Sequence, residues 1–273
     1  MARSEKRKSR RRQLRASHQK NWLIGRYAVT EALRAARWPF EELYLADSLT
    51  PSETAEAERL ADEADIRARR DTTDRLTELC SADHHQGFAA RMAPFPYETP
   101  RQLRERLQES SSTAAACVPV VVVCDRIQDT FNFGAILRSC DATNVAGILI
   151  GPEQQAGVTP QVARSSAGAV HHLPIAMAEN IVDCVIEMKT SGFKVVAASE
   201  KAEESLWACD LSGPTVLVMG SEARGVSTDL LAVCDVQVNI PMQGSVHSLN
   251  ASVAAGILLY EIRRQQQSRP LYD

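Results

Sequence analysis

The sequence predicts an α/β protein: a parallel sheet covered by helices on both faces, preceded by a smaller module of alternating helices and strands. Five short β-branched or aliphatic runs, at 118–124, 145–150, 194–198, 215–219 and 236–240, are separated by helical stretches, and most of them are nearly continuous rather than apolar at alternate positions. Strands buried on both faces read this way. A stretch with Pro94, Pro96 and Pro100, ending in the aperiodic Ser110-Ser-Ser-Thr-Ala-Ala-Ala116, divides these runs from the front of the chain. The 273-residue length also favours two domains over one.

In the front module, apolar residues at helical spacing predict a helix over 23–36, followed by a strand at 42–46. A second helix is expected over 52–64, with Ser52 and Glu53 at its start, then a strand at 65–68. Asp71 or Thr72 opens a third helix ending at Cys80, and a strand at 85–90 is entered through a turn. The module spans 22–95. Residues 96–117 read as a linker with a helical insert from Arg101 to Gln108, and the second domain as 118–268.

The net charge of -3 conceals an uneven distribution, because residues 1–20 carry nine Lys or Arg against one Glu. The chain reads as a basic arm on an acidic body. Such an arm is a solvated, disordered tail or a nucleic-acid contact, with a transit peptide as the third reading. No apolar run approaches the roughly 18 residues of a membrane helix. Seven cysteines with no two closer than seven residues, and no apolar signal segment, predict reduced, mostly buried thiols and a cytoplasmic protein. The doublets His84-His85 and His171-His172 diverge on either a helix or a strand, and no CxxC or HxxxH pair exists, so no metal is expected.

Three segments could carry chemistry. Asp125-Arg-Ile-Gln-Asp-Thr-Phe-Asn132 leaves the carboxyl end of a strand, where open α/β sheets bind ligands, and enters a helix predicted from Gly134 to Asp141. Asn132 would cap that helix and Arg138 be a surface charge, or both would face a ligand. Gly220-Ser-Glu-Ala-Arg-Gly225 follows a strand, and its two glycines permit a tight turn displaying Glu222. The carboxylate would serve a site or hold a neighbouring arginine. In Ile240-Pro-Met-Gln-Gly-Ser-Val-His-Ser-Leu-Asn250, Ser248 or Asn250 can cap the following helix, which is rich in Ala and Gly and so suited to close packing or to a subunit contact. No G-x-G-x-x-G follows any predicted strand, so a nucleotide-like ligand would need another cradle.

Together and in this order, Asn132-Phe-Gly-Ala-Ile-Leu-Arg138, Gly220 to Gly225 and Ile240 to Asn250 resemble the three motifs of the SpoU family of RNA 2'-O-ribose methyltransferases. The resemblance covers about residues 118–264. At the front, Gly25-Arg-Tyr-Ala-Val-Thr-Glu-Ala-Leu33 and His85-Gln-Gly87 look like the small ribosomal-protein-like substrate-binding domain found in many members. The resemblance implies a SPOUT-type catalytic domain threaded into a trefoil knot, S-adenosylmethionine as cofactor, and a homodimer joined through residues 251–262. It puts Gly220, Ile240 and Leu249 on the cofactor. Asn132, Arg138, Glu222, Ser248 and Asn250 would surround the reacting ribose and phosphate, Arg138 as base or as phosphate anchor, the two asparagines orienting it or the hydroxyl, and Glu222 holding the loop or the guanidinium.

The chain departs from the family pattern at Thr130, where proline is common, and at Ser139-Cys140, where Thr-Ala is frequent. Neither change removes a group implied to be catalytic. With Arg164-Ser-Ser-Ala-Gly-Ala169 and His172-Leu-Pro174, the front module looks most like the group that methylates a guanosine of large-subunit ribosomal RNA. Transfer RNA is the alternative substrate, and a non-catalytic RNA-binding or ribosome-assembly protein the alternative class. The basic arm would strengthen binding to either RNA by neutralising phosphates.

Overall fold

A computed structural model describes residues 21–111 and 117–267, and the predicted basic arm lies outside the described residues. The chain forms two compact units, one comprising the chain up to Pro96 together with Val158–His171, the other Tyr97–Gly157 together with the chain from His172 onward.

The first unit contains β1 (Trp22–Ile24), α1 (Arg26–Ala35), β2 (Phe40–Ala46), α2 (Pro51–Glu63), β3 (Ala68–Asp71), α3 (Thr73–Cys80) and β4 (Phe88–Met92). Its four strands lie in the order β1-β4-β2-β3, with only the β2–β3 pair parallel. The expected helix over 23–36 divides in two. Gly25, at φ 100°, stops α1 from extending backward, and Trp22–Ile24 pairs with β4 instead. The second strand begins three residues later than predicted because Asp65, at φ 55°, is still turning the chain out of α2. That helix is capped by Thr50 rather than Ser52, through a capping box in which Thr50 Oγ1 accepts from the Glu53 N–H at 3.3 Å and Glu53 Oε2 accepts from the Thr50 N–H at 3.0 Å. Trp22, Ile24, Leu76, Cys80 and Ala89 form its buried core.

The second unit begins with α4 (Pro100–Ser111), β5 (Val120–Asp125), α5 (Thr130–Ala142) and β6 (Gly147–Ile150). The chain then lends α6 (Pro160–Ser165) and a 3-10 turn (Ala169–His171) to the first unit, so the Arg164–Ala169 motif packs there. It returns as β7 (Ile175–Met177), α7 (Ile181–Thr190), β8 (Lys194–Ala198), β9 (Glu204–Ser205), β10 (Thr215–Gly220), α8 (Thr228–Val233), β11 (Val236–Asn239) and α9 (Ala251–Gln267). All seven strands are parallel, in the order β7-β6-β5-β10-β8-β11-β9. The two short edge strands, β7 and β9, lie outside the five predicted runs.

Because strand side chains alternate between faces, the continuous apolar runs demand cover on both sides. On one face Val121, Val123, Val195 and Val216 pack with Leu103 and Leu107 of α4, Val185 and Met188 of α7, and Leu230 of α8. Burial of Ile136, Leu137 and Cys140 on α5 and of Ala255, Leu258 and Ile262 on α9 accompanies the packing of these two helices against each other. Arg263 of α9 secures the pair. Its buried guanidinium donates to the carbonyls of Thr143 and Asn144, each at 2.6 Å, so it satisfies acceptors that the end of α5 leaves open. All seven cysteines are free thiols. Burial pushes the Cys124 thiol up to about 12 and raises Cys140 as well, which keeps both uncharged within this core.

Candidate active site

The three polar segments follow the carboxyl ends of β5, β10 and β11, strands that share one parallel sheet. The last two segments line a cavity of about 950 Å³, and Ser199, Glu200 and Lys201, which follow β8, complete its wall. Gly220, Ile240 and Leu249, the expected cofactor residues, all line it, as do Glu222, Ser248 and Asn250.

The second segment is a closed loop. Gly225 N–H donates to the Ser221 carbonyl at 2.7 Å, and Gly225 sits at φ 66°, in the left-handed region that glycine tolerates. Gly220 lies so close beneath the returning chain that an added Cβ would be 2.1 Å from the Gly225 carbonyl carbon and 2.2 Å from the Val226 nitrogen. Only glycine fits there. The loop thereby lifts Glu222 to an exposed position at the cavity wall.

The asparagines join the three segments. Helix α5 begins at Thr130, four residues before its predicted start, and its cap is Asp129, whose Oδ1 accepts from the Asn132 N–H at 2.8 Å. Asn132 is therefore not the cap, and its side chain is free for other work. Asn250 does cap: its Oδ1 accepts from the Ser252 N–H at 2.9 Å and the Ser252 hydroxyl at 2.6 Å at the start of α9. With that oxygen committed, the Asn250 amide nitrogen donates to Asn132 Oδ1 at 2.9 Å, and the Asn132 amide nitrogen donates to Glu222 Oε1. The result is a directional relay, Asn250 to Asn132 to Glu222, anchored on a carboxylate and drawn from residues 118 and 90 positions apart.

Arg138 stands outside this relay. It lies six residues beyond Asn132, about 9 Å along the helix axis and on a different face. It is exposed, and its guanidinium has no hydrogen-bond or ion-pair partner among the described residues. Its face of α5 also carries Phe131, which is 63% exposed, and the open face of α9 carries Val253 and Tyr260, at 50% and 60%.

Sequence reasoning passed over several groups that the fold brings to the cavity or behind it. Glu200, Lys201, Arg224 and His247 line it and add charge or a titratable ring. His247 lay within the third motif, but Glu200 and Lys201 follow a strand with no motif attached. Among the described residues no group of three or more His, Cys, Asp or Glu could hold a metal ion, and no helix is long and apolar enough to cross a membrane.

Comparison with known proteins agrees with this architecture. Residues 119–260 match the model of the SpoU rRNA Methylase family, and residues 22–98 match the domain described as RNA 2'-O ribose methyltransferase substrate binding. YacO of Bacillus subtilis (strain 168), whose name puts it among the TrmH family tRNA/rRNA methyltransferases, is 32% identical over 250 residues, covering 92% of this chain and 98% of its own. An uncharacterized tRNA/rRNA methyltransferase of Mycobacterium sp. (strain KMS) is 35% identical over 259 residues, covering 94% of this chain and 81% of its own. Among solved structures, the SpoU methyltransferase AviRb from Streptomyces viridochromogenes, in complex with AdoMet, superposes with a TM-score of 0.74 at 25% identity, covering 93% of this chain and 94% of the other. Matched along both units and carrying all three motifs, the chain belongs to the SpoU family of RNA methyltransferases.

Proposed function

We propose that this protein transfers the methyl group of S-adenosylmethionine to a ribose 2'-hydroxyl of RNA, at a guanosine of large-subunit ribosomal RNA. The observation that carries the reading is the convergence of three separate segments, through the Asn250–Asn132–Glu222 relay, on the wall of one cavity. The cavity suits the cofactor in size, since pockets for ligands of that class span roughly 300–1,000 Å³. Its lining suits it too. Met219, Ile240, Leu249, Ala254 and Leu258 offer apolar surface for an adenine ring, while the glycine-bounded loop and Ser248 offer polar groups for the ribose and the amino acid end. When bound, the cofactor supplies an electrophilic methyl on a sulfonium.

The chain supplies position and proton control. A 2'-hydroxyl is a weak nucleophile, so it must be held in line with the methyl and relieved of its proton. The relay fixes Asn132 so that an approaching hydroxyl or phosphate meets a prearranged amide rather than a mobile one. Arg138, whose guanidinium has no partner among the described residues, anchors the adjacent phosphate or takes part in proton removal. We place the homodimer contact on the exposed face formed by Phe131, Val253 and Tyr260, beside Arg138; a second copy there would enclose that arginine in a drier, lower-dielectric site. The knotted threading of residues 220–250 belongs to the same reading.

The test is transfer of labelled methyl from S-adenosylmethionine to ribosomal and transfer RNA from cells lacking the protein, with alkali-resistant positions mapped. Label at one large-subunit guanosine is expected. Label in transfer RNA would replace the substrate and keep the chemistry; absence of label in both, with cofactor bound, would sink the catalytic reading. Arg138→Ala should abolish transfer while cofactor affinity, measured by calorimetry, stays near wild type, and equal loss of both would remove its assigned role.

A further inference from the structure

We propose that Asp125 is a positioning residue: its buried carboxylate clamps the far end of the Ser221–Gly225 loop and so sets both the cofactor-facing backbone and the Glu222–Asn132 contact. This rests on the functional reading above and extends it to a group that makes no contact with the relay. Asp125 closes β5 and stands opposite Gly220 in the parallel register with β10. It is 5% exposed, a costly place for a carboxylate unless its oxygens are fully partnered.

The partners show what it holds. Asp125 Oδ2 accepts from the Ser227 N–H at 2.7 Å, a bond spanning 102 residues, and Arg126 donates to both oxygens, Nε to Oδ1 and Nη2 to Oδ2, each at 3.1 Å. Arg126 takes φ 59° to make this fork, a left-handed conformation unusual for a residue with a long side chain. Ser227 precedes α8 as its N-cap, yet its own hydroxyl makes no capping bond, so the role of its backbone N–H is to meet Asp125. The loop is thus fixed at three places. Gly220 is packed under the returning chain, Gly225 closes the mouth on Ser221, and Ser227 is tied back to the strand beside the loop's own beginning.

The consequence reaches the relay from both sides. Four residues after Asp125, Asp129 caps α5 and holds the Asn132 backbone; two residues before Ser227, the loop bearing Glu222 ends. A single carboxylate therefore stands between the first and second motifs. Releasing it would free the loop's exit without touching Glu222, Asn132 or any group lining the cavity.

Three variants separate this role from general support of the fold. Ser227→Pro removes the N–H at a residue whose φ of -63° proline accepts, and sets the ring Cδ against the Asp125 carboxylate where the hydrogen bond had been. Asp125→Asn keeps the shape but loses the charge that accepts the Arg126 fork, and Arg126→Gly removes the fork while relieving the left-handed backbone. Each is measured for S-adenosylmethionine affinity by calorimetry, for amide hydrogen exchange over residues 221–225 in cofactor-free protein, and for thermal unfolding. Ser227→Pro and Asp125→Asn are expected to weaken cofactor binding about tenfold and to speed exchange at the Gly225 amide by a similar factor, as loss of a charge-assisted hydrogen bond implies. Arg126→Gly should show a smaller loss of affinity without loss of thermal stability. Wild-type affinity and wild-type loop exchange in both Ser227→Pro and Asp125→Asn would overturn the proposal, as would a fall in melting temperature with affinity unchanged. Failure of Asp125→Asn to fold leaves Ser227→Pro to decide. Should the unaltered protein fail to bind S-adenosylmethionine, the functional reading falls, while the exchange experiment still tests the clamp.

Discussion

Two glycine-bearing turns, His85–Gly87 in the first unit and Gly220–Gly225 in the second, combine similar residue types to opposite ends. In the first, the side chains bond back into their own unit. His85 Nδ1 accepts from the Gly87 N–H at 3.0 Å, its Nε2 pairs with the Thr77 hydroxyl at 3.1 Å, and Gln86 Oε1 accepts from the Arg26 N–H at 3.1 Å at the start of α1. Gly87 sits at φ 79°, where an added Cβ would lie 2.6 Å from Leu49 Cδ2. That turn is a fastening. In the second, the backbone closes on itself and the Ser221 hydroxyl accepts from the Arg224 N–H, but Glu222 stands exposed beside a cavity and meets an asparagine from another segment. A motif's residue types do not tell a fastening from a site; the direction in which its hydrogen bonds point does.

The second loop is most severely disrupted at Gly220. Gly220→Ala would drive a methyl into the loop's own backbone, an overlap of about 3 kcal/mol that should weaken cofactor binding roughly 150-fold. Calorimetry would read this, and near-normal affinity would mean that the loop is not the cofactor cradle. Asn132→Ala deletes the middle of the relay and should lower turnover about 100-fold, because misplaced groups at a reacting centre cost that much. Its melting temperature should move little, since Asp129, not Asn132, caps α5. At the fastening the pattern reverses: Gly87→Ala combines an unfavourable φ with a collision against Leu49 and should cost about 2 kcal/mol of stability, seen in thermal unfolding, with cofactor affinity unchanged.

The smallest expected effect is a pH dependence. Burial disfavours the charged His85 ring and holds its pKa below the ordinary value. As pH falls through about 6.5, the unfolded chain takes up the proton before the folded one does, so the contribution of His85 is fully present above that pH and fades below it. His85→Asn, which retains an acceptor near the Gly87 N–H, should flatten the fall in melting temperature between about pH 6.5 and 5. An unchanged slope would mean that other groups set it.

Local chemistry made much of this protein legible in its sequence. Short β-branched runs between helices announce buried parallel strands because stiff, branched side chains suit a pleated surface covered on both faces, and β8 and β10 stand within a residue of their expected bounds. The second and third motifs identified residues that line the cavity because loops at strand ends must carry their own turn chemistry, and that chemistry is written in glycines, amides and hydroxyls. Errors fell where a tertiary partner outvoted local preference. Leu23 and Ile24 stand inside the expected helix but find β4 beside them; the cap expected at Asn132 is displaced locally instead, by Asp129 three residues earlier.

What the tertiary structure alone decided is which distant groups meet. The strand order β7-β6-β5-β10-β8-β11-β9, the packing of Val158–His171 with the first unit, the tie from Asp125 to Ser227 and the relay from Asn250 to Asn132 join residues far apart in the chain. A single sequence records propensities that act over a few residues; the pairing of a buried carboxylate with an amide 102 residues away follows only from the packing of whole strands and helices, where an unpaired group would be too costly to leave.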